Sequence, residues 1–216
     1  FKTPVSTIGI SAEVLFDPEI VKDHNRLKNY AGIIADQNKR IENQIEKVLQ
    51  LGKIEKDRSG LNMEETDLHE VIKNVTVSFN YTLKETGGHI DLRLDVKPCI
   101  IVADRSHLAN AIYNLLDNAF KYRRSKPEIT ISTSRNNGSI IMEIRDNGIG
   151  IEKKYLGRIF DKFYRVPTGD VHNVKGFGIG LNYVKNIADN HKWKIEINSE
   201  HGVGTTFQII IPALIK

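Results

Sequence analysis

Cysteine is nearly missing from this sequence. Cys99 is the single one among 216 residues, so no intrachain disulfide can form and no Cys/His zinc spacing exists. Its neighbours Ile100, Ile101 and Val102 mark it as a small core residue, and a reducing compartment fits. Long apolar runs are missing too. None approaches the ~20 residues that a membrane-crossing helix needs, and the start carries no signal-peptide pattern. The expectation is a chain that does not itself span a membrane. Charge of one sign does not dominate: 31 basic and 27 acidic residues are interleaved, for a net charge of +4. The densest basic stretch, Lys121 to Lys126, is broken by Tyr122 and Ser125. It reads as solvated charge on helix faces rather than a nucleic-acid groove. There is no internal repeat and no low-complexity tract. What the chain does have is 40% apolar residues, enough for a packed core in one large domain or two modest ones.

Residues 1 to about 58 read as an antiparallel helical hairpin. Pro4 fits a first turn or a kink, because it has no N–H to donate. Asp17-Pro18-Glu19 reads as a turn and a new helix start. The second arm runs from about Asp23 to Lys56. Leu27, Ile34, Ile41 and Val48 recur at seven-residue spacing, Tyr30, Gln37, Gln44 and Leu51 hold the other seam position, and Ala31 and Ile45 widen the stripe. Two helices alone cannot bury such a stripe on both arms. Pairing two copies into a four-helix bundle would do so, and docking on the chain's own second domain is the alternative.

Asp57-Arg58-Ser59-Gly60 marks the boundary, giving domains of 1–58 and 59–216. In the second, Asp67-Leu68-His69-Glu70 opens a helix to about Lys84, ended by Thr86-Gly87-Gly88. Ile90, Leu92, Leu94 and Val96 alternate as a half-buried strand, and Ile100 to Ala103 follows as another. Ser106 to Tyr122 is helical. Ile129 to Ser134, Ser139 to Asp146, Lys194 to Asn198 and Thr205 to Ile211 read as strands, Asn136-Asn137-Gly138 as a hairpin turn, and Leu181 to Asn190 as a helix. The expected fold class is α+β: the hairpin followed by a two-layer α/β sandwich.

The chemistry begins on the helix Ser106 to Tyr122. Leu108, Ile112, Leu115, Leu116 and Ala119 share one side, and Asn110, Asn114, Asn118 and Lys121 the other, with Tyr122 at its edge. Asparagine is a poor helix former, so a ladder at i, i+4, i+8 is odd for a plain surface. Its amide oxygen is a neutral ligand for a hard cation, and its nitrogen donates to oxyanions. The next strand ends in Asp146-Asn147-Gly148-Ile149-Gly150. Asp146 is in phase with Ile140, Met142 and Ile144, so its carboxylate points toward the apolar layer and needs a partner there. A base's exocyclic amine would serve, and the glycines would let backbone pass close to a ring. A strand-terminal turn with Asp as its cap is the plain alternative. Gly176-Phe177-Gly178-Ile179-Gly180-Leu181 opens a helix and exposes backbone N–H groups to a phosphate. It is neither a P-loop nor a dinucleotide fingerprint. Between the glycine clusters lies Arg158 to Arg165, whose three aromatics can anchor the segment and whose Arg165 can reach a terminal phosphate. Gly202-Val203-Gly204-Thr205 turns into the last strand, with Thr205 facing inward beside Phe207 and Ile209.

In this order, Asn114-x-x-x-Asn118-Ala119-x-Lys121-Tyr122, Asp146-x-Gly148-x-Gly150, Phe160-x-x-Phe163-Tyr164, Gly176-x-Gly178-x-Gly180-Leu181 and Gly202-x-Gly204-Thr205 resemble the N, G1, F, G2 and G3 boxes of bacterial sensor histidine kinases. The resemblance covers essentially the whole chain. The wider GHKL superfamily also holds type II topoisomerases, Hsp90 chaperones and MutL-type repair proteins, and the F-box and the helical hairpin favour the kinase branch. Phe1-Lys2-Thr3-Pro4-Val5 looks like the end of an H-box, His-Glu-x-x-Thr-Pro, which would place the phosphoacceptor histidine two residues before Phe1. His69-Glu70 imitates such a box but lacks the Thr-Pro and begins the first helix of the second domain. His24, His89, His107, His172, His191 and His201 have no motif around them and read as surface or capping residues.

The resemblance implies a site residue by residue. Asp146 would bind the adenine amino group of ATP, supported by Thr205. Asn118 would ligate Mg²⁺, with Asn114 beside it. Lys121, Tyr122 and Arg165 would contact phosphates or ribose. Gly148 and Gly150 would pass close to the base, Gly176, Gly178 and Gly180 would let a lid of about Glu152 to Lys175 fold over the triphosphate, and Leu181 would join the ATP-binding positions. Thr3 matches the position associated with dephosphorylating a response regulator. The γ-phosphoryl would pass to a histidine on the bundle and then to a response-regulator aspartate, a transfer that needs positioning and charge neutralisation. The resemblance further implies a homodimer through the hairpin and the cytoplasmic portion of a membrane-anchored bacterial sensor, with no nucleic-acid partner. Phe177 and Arg123-Arg124 depart from the family pattern. A non-kinase ATPase of the superfamily and a nucleotide-binding scaffold are the competing readings. The first usually needs a glutamate base near the first asparagine, where this helix has Asn110, Asn114 and Asp117.

Overall fold

A computed structural model describes residues 2–56, 60–84, 86–167 and 178–212. The chain divides into two compact units, Phe1–Lys56 and Asp57–Lys216. The first contains α1 (Lys2–Val14), α2 (Pro18–Lys22) and α3 (His24–Lys56). Asp17 caps α2 by accepting the Glu19 N–H at 2.9 Å, with Pro18 at the position where a missing N–H costs nothing. Within one chain the seam of α3 is half-covered: Leu27, Tyr30, Ile34, Gln37 and Ile41 are only partly buried. Ala31 is exposed, Ile45 is 45% exposed, and Phe16 between the arms is 85% exposed. The side chains of Gln44, Val48 and Leu51 lie outside the described residues.

The second unit is a two-layer α/β sandwich. Its elements are β1 (Glu64–Asp67), α4 (Leu68–Lys84), β2 (His89–Leu94), β3 (Ile100–Ala103), α5 (Arg105–Lys121), β4 (Glu128–Asn136) and β5 (Ser139–Asp146). They continue with α6 (Lys153–Leu156), α7 (Gly180–Asn190), β6 (Lys194–Glu200) and β7 (Gly204–Pro212). Five strands form one sheet in the order β2-β4-β5-β7-β6, in which only β2 and β4 run parallel. Alternate residues bury on one face, as period-two strands require: Ile129 and Ile131 on β4, Ile140, Met142 and Ile144 on β5, and Phe207, Ile209 and Ile211 on β7. Helices α4, α5 and α7 supply the other half of the core with Ile72, Phe79, Leu108, Ile112, Leu116, Val184 and Ile187. Phe79 meets Tyr113 and Phe120 of α5 edge-on, with ring centroids 5.5 and 6.2 Å apart.

Two features were not legible in advance. The run Glu64-Glu65-Thr66-Asp67 is a strand although only Thr66 is buried, and it pairs antiparallel with β3. So β3 leaves the main sheet and builds a second, two-stranded one. Of the histidines read as surface or capping residues, His24, His89 and His201 are exposed and His191 is the C-cap of α7, but His191 and His107 also carry tertiary bonds that this reading did not anticipate. His191 is buried: its Nδ1–H donates to the Ile187 carbonyl at 2.8 Å, its Nε2 accepts the Asp104 N–H at 2.9 Å, and its ring lies 4.3 Å from that of Trp193. His107 meets the Tyr183 hydroxyl at 2.9 Å through Nδ1. His69 is buried in α4 and bonds Thr133 of β4 at 2.9 Å. His172 lies outside the described residues. Cys99 is in the core, where burial pushes its thiol up to about 11.

Burial holds His191 below the ordinary imidazole range, against the opposing pull of the Ile187 carbonyl and the Asp104 carboxylate. The folded state therefore prefers the neutral ring. The stability this contributes is complete above the unfolded pKa of about 6.5 and is lost as pH falls through the lowered folded value. Thermal unfolding of the chain between pH 7 and 5 should show a falling Tm. His191→Gln keeps an acceptor toward Asp104 but does not titrate, and should remove part of that fall. Superimposable acid profiles would show that His191 contributes none of it.

Candidate functional site

The polar side of α5 forms the floor of the site. Asp104 caps the helix, accepting the His107 N–H at 3.0 Å through Oδ1 and the Asn62 N–H at 2.9 Å through Oδ2. Asn114 donates to the Asn110 carbonyl at 2.8 Å, which leaves its Oδ1 facing outward from the helix. A Cβ added at Gly180 would stand 3.0 Å from that oxygen, so α7 begins directly beside Asn114. Lys121 pairs with Asp117 at 2.5 Å, both partly exposed. Asn118 differs from all of these. Its Nδ2 is buried and has no hydrogen-bond partner. Such a donor costs free energy unless something outside the chain accepts from it.

The loop after β5 closes against the end of α5. Ile149 N–H donates to the Tyr122 carbonyl at 2.9 Å. A Cβ on Gly148 would lie 2.7 Å from that carbonyl oxygen, and one on Gly150 (φ +67) only 1.9 Å from the Glu200 oxygen. Only glycine permits both approaches. Gly202 N–H donates to the Ile149 carbonyl at 2.7 Å, and Arg124 reaches the Gly202 carbonyl. Asn147 clasps the start of β4, accepting from Glu128 N–H at 3.0 Å and donating to the Lys126 carbonyl at 3.2 Å. These bonds tie the loop after α5, the loop after β5 and the turn before β7 into one wall.

Asp146 stands in that wall. Its Oδ1 accepts the Gly148 N–H at 2.8 Å and the Thr205 N–H at 3.3 Å, while Oδ2 takes neither. Burial pushes its carboxyl above the usual carboxylate range, and the two backbone donors partly offset this. Asp146 and Thr205 are register partners across β5 and β7. Thr205 is buried, and its hydroxyl lies 2.9 Å from that of Ser199 on β6, a residue that the sequence analysis did not single out. A polar residue in the inward phase of β6, in line with Ile195 and Ile197, was the available signal.

The segment after Gly150 is only partly anchored as expected. Ile159 is buried and Phe160 and Tyr164 are half-buried, but Phe163 is 66% exposed at φ +62. Phe163 N–H donates to the Gly178 carbonyl at 2.9 Å, and the Asn182 amide to the Phe160 carbonyl at 2.8 Å. Thus Gly178 and the start of α7 hold this segment. Arg165 is exposed, Leu181 is half-buried, and Gly176 lies outside the described residues. Thr3 is exposed in the other unit, its carbonyl accepting from the Thr7 hydroxyl at 3.0 Å.

The residues fit a purine nucleotide with its cation. They offer a carboxylate acceptor, an unsatisfied amide donor on a neighbouring helix, and glycines that bring backbone close on both sides. Among the described residues no trio of His, Cys, Asp or Glu is placed to hold a metal. A cation would rest on amide oxygens such as Asn118 Oδ1 and on the polyphosphate itself. A cavity of about 320 Å³ opens elsewhere, on the polar outer face of the sheet among Arg93, Thr130, Ser132, Glu143 and Arg145. It reaches Asp146 and Asn147 but no residue of α5, so it is not the site argued from the helix.

Comparison with known proteins gives a consistent picture. Residues 103–215 match the family described as histidine kinase-, DNA gyrase B-, and HSP90-like ATPase, and residues 1–57 match the His Kinase A (phospho-acceptor) domain. The chain is 42% identical over 216 residues to the sensor protein RprX of Bacteroides fragilis, covering 99% of this chain and 42% of that protein. It is 27% identical to the sensor protein SrrB of Staphylococcus aureus, covering 98% of this chain and 36% of that one. It thus spans less than half the length of these curated relatives. Solved structures of histidine kinases share its fold. The histidine kinase AdeS of Acinetobacter baumannii has a TM-score of 0.75 at 22% identity, covering 99% of this chain and 97% of that one. The histidine kinase ThkA in complex with the response regulator protein TrrA has a TM-score of 0.72 at 23% identity, covering 98% and 58%.

The close approaches predict a graded response to a methyl group. Gly150→Ala should cost on the order of 1–3 kcal/mol in stability from left-handed strain, before the clash with Glu200 is added. Gly157→Ala, with open space and a helical φ, should change stability by well under 1 kcal/mol. Denaturant unfolding of both variants checks this, and equal losses would contradict the packing described.

Proposed function

The chain belongs to the histidine kinase-, DNA gyrase B-, and HSP90-like ATPase family, in the sensor histidine kinase branch, and from that premise we propose that it binds ATP·Mg²⁺ and passes the γ-phosphoryl to a histidine. Residues 59–216 form the ATP-binding domain and residues 1–58 the dimerisation and phosphotransfer hairpin. The observation that carries this reading is the buried, unpartnered amide of Asn118 beside the wall that holds Asp146. Asp146 Oδ2 accepts from the adenine amino group, with Thr205 next to it. Asn118, Asn114, Lys121 and Tyr122 line the phosphate side, and Arg165 approaches from the segment before Gly178. Gly148, Gly150, Gly176, Gly178, Gly180 and Leu181 shape the enclosing backbone. When bound at Asn118, Mg²⁺ supplies neutralisation of polyphosphate charge. The chain's own groups orient the terminal phosphate for in-line attack, which is the main protein contribution to phosphoryl transfer.

The acceptor histidine belongs before Phe1, and Thr3 takes the phosphatase-associated position. His69 and His191 are unsuited to accept a phosphoryl group, since both are buried and hydrogen-bonded within the fold. The half-open seam of α3 and the exposed Ile10 and Phe16 support a homodimer of hairpins, and a response-regulator receiver domain takes the phosphoryl group next. No described helix is long and apolar enough to cross a membrane. We place the chain on the cytoplasmic side of a larger, membrane-anchored sensor.

Calorimetric titration with a non-hydrolysable ATP analogue and Mg²⁺ should give saturable binding. Asn118→Asp and Asp146→Asn should each weaken it by about 2 kcal/mol, roughly thirtyfold. Unchanged affinity in both would mean the site is wrongly placed. With radiolabelled ATP the purified 216-residue chain should take up no acid-labile phosphate, and should do so once the native residues before Phe1 are supplied. Release of free phosphate instead would favour a non-kinase ATPase.

A further inference from the structure

We infer that Ser199 sets which base the site accepts, by fixing the direction of the Thr205 hydroxyl hydrogen bond; this rests on the nucleotide-site reading above. Ser199 lies on β6 beneath the wall, buried, and has three neighbours. Its Oγ accepts the Ile151 N–H at 2.8 Å, donates to the Gly204 carbonyl at 3.0 Å, and lies 2.9 Å from Thr205 Oγ1. A serine hydroxyl has one proton and two lone pairs. The proton goes to Gly204, because a carbonyl can only accept. One lone pair goes to Ile151, because an amide can only donate. The remaining lone pair faces Thr205, so the Thr205 hydroxyl donates to Ser199.

That assignment has a consequence for the base. With its own proton turned toward Ser199, Thr205 Oγ1 presents only lone pairs on its other side. Beside it, across the β5–β7 register, Asp146 presents the acceptor Oδ2. Two acceptors side by side favour a purine with an amino group at position 6, which brings two N–H donors. They oppose a 6-oxo purine, whose oxygen would meet a lone pair. Discrimination by a buried hydrogen-bonding group of fixed polarity is strong, because the wrong partner leaves it unpaired. Ser199 touches no nucleotide atom in this scheme. It is a positioning residue that acts through Thr205.

The test compares ATP and ITP, each as the non-hydrolysable analogue with Mg²⁺, by calorimetric titration of the full 216-residue chain. The unmodified chain should prefer ATP. Ser199→Ala lets the Thr205 hydroxyl rotate and donate to a 6-oxo group, so the ATP-to-ITP affinity ratio should fall about tenfold. Ser199→Thr should restore it. The loss of the Ile151 partner affects both nucleotides alike and cancels in the ratio. Thr205→Val, which removes the hydroxyl but keeps the shape, should also lower the ratio and covers the case in which Ser199→Ala fails to fold. An unchanged ratio in Ser199→Ala or in Thr205→Val overturns the inference while leaving the nucleotide site standing. Failure of the unmodified chain to bind either nucleotide overturns the site reading itself, and the inference with it.

Discussion

A single methyl group on Gly150 would sit 1.9 Å from the Glu200 carbonyl oxygen, and one on Gly204 would sit 2.1 Å from the Asp146 oxygen. The second unit depends on this closeness of backbone to backbone. It lets the turn before β7 and the loop after β5 touch, and lets both reach the end of α5 through Ile149 and Tyr122. Without it, the loop that follows Asp146 could not reach the end of α5, the helix that carries Asn118. Glycine recurs here because contact distance, as well as turn conformation, forbids a side chain.

The layers beneath the wall serve its precision. His191 joins the end of α7 to the cap of α5 through Asp104, and His107 joins the same helices through Tyr183. Both bonds are far in sequence and close to the helix that carries the asparagines. His69 fixes α4 to the sheet through Thr133 in the same manner. A buried imidazole bonded at both ring nitrogens, as His191 is, is costly to rearrange and holds its two helices at one spacing rather than a range of them. The phosphoryl transfer proposed above would need this, since small misplacements cost heavily in rate.

The hairpin follows a different logic. Its apolar stripe is more than one chain can cover, with Leu27, Ile34 and Ile41 half-buried and Ile10, Phe16 and Ile45 exposed. A surface of that kind is finished by another helix pair. The second unit, in contrast, closes its own core on the buried faces of α4, α5 and α7. The core of the second unit is thus closed within the single chain, whereas the described stripe of the hairpin is left half-open, as the proposed homodimer would require.

The sequence by itself determined a great deal. Period-two and period-3.6 patterns located the hairpin arms, six of the seven described strands to within a few residues, and the helices α4, α5 and α7, because in those segments one face is plainly apolar. The order of the glycine and asparagine motifs pointed to the family, and the phase of Asp146 against Ile140, Met142 and Ile144 foretold an inward carboxylate. Tertiary structure decided the rest. Glu64 to Asp67 is a strand because β3 offers its edge, not because of its own residues. His191 is buried because Asp104, far along the chain, meets its Nε2. Ser199 looks like any polar residue in a strand until Ile151, Gly204 and Thr205 surround its hydroxyl. Local patterns report which side of an element avoids water; which polar atoms then meet on the inner side depends on strand order and register, and those are settled only when the whole sheet has formed.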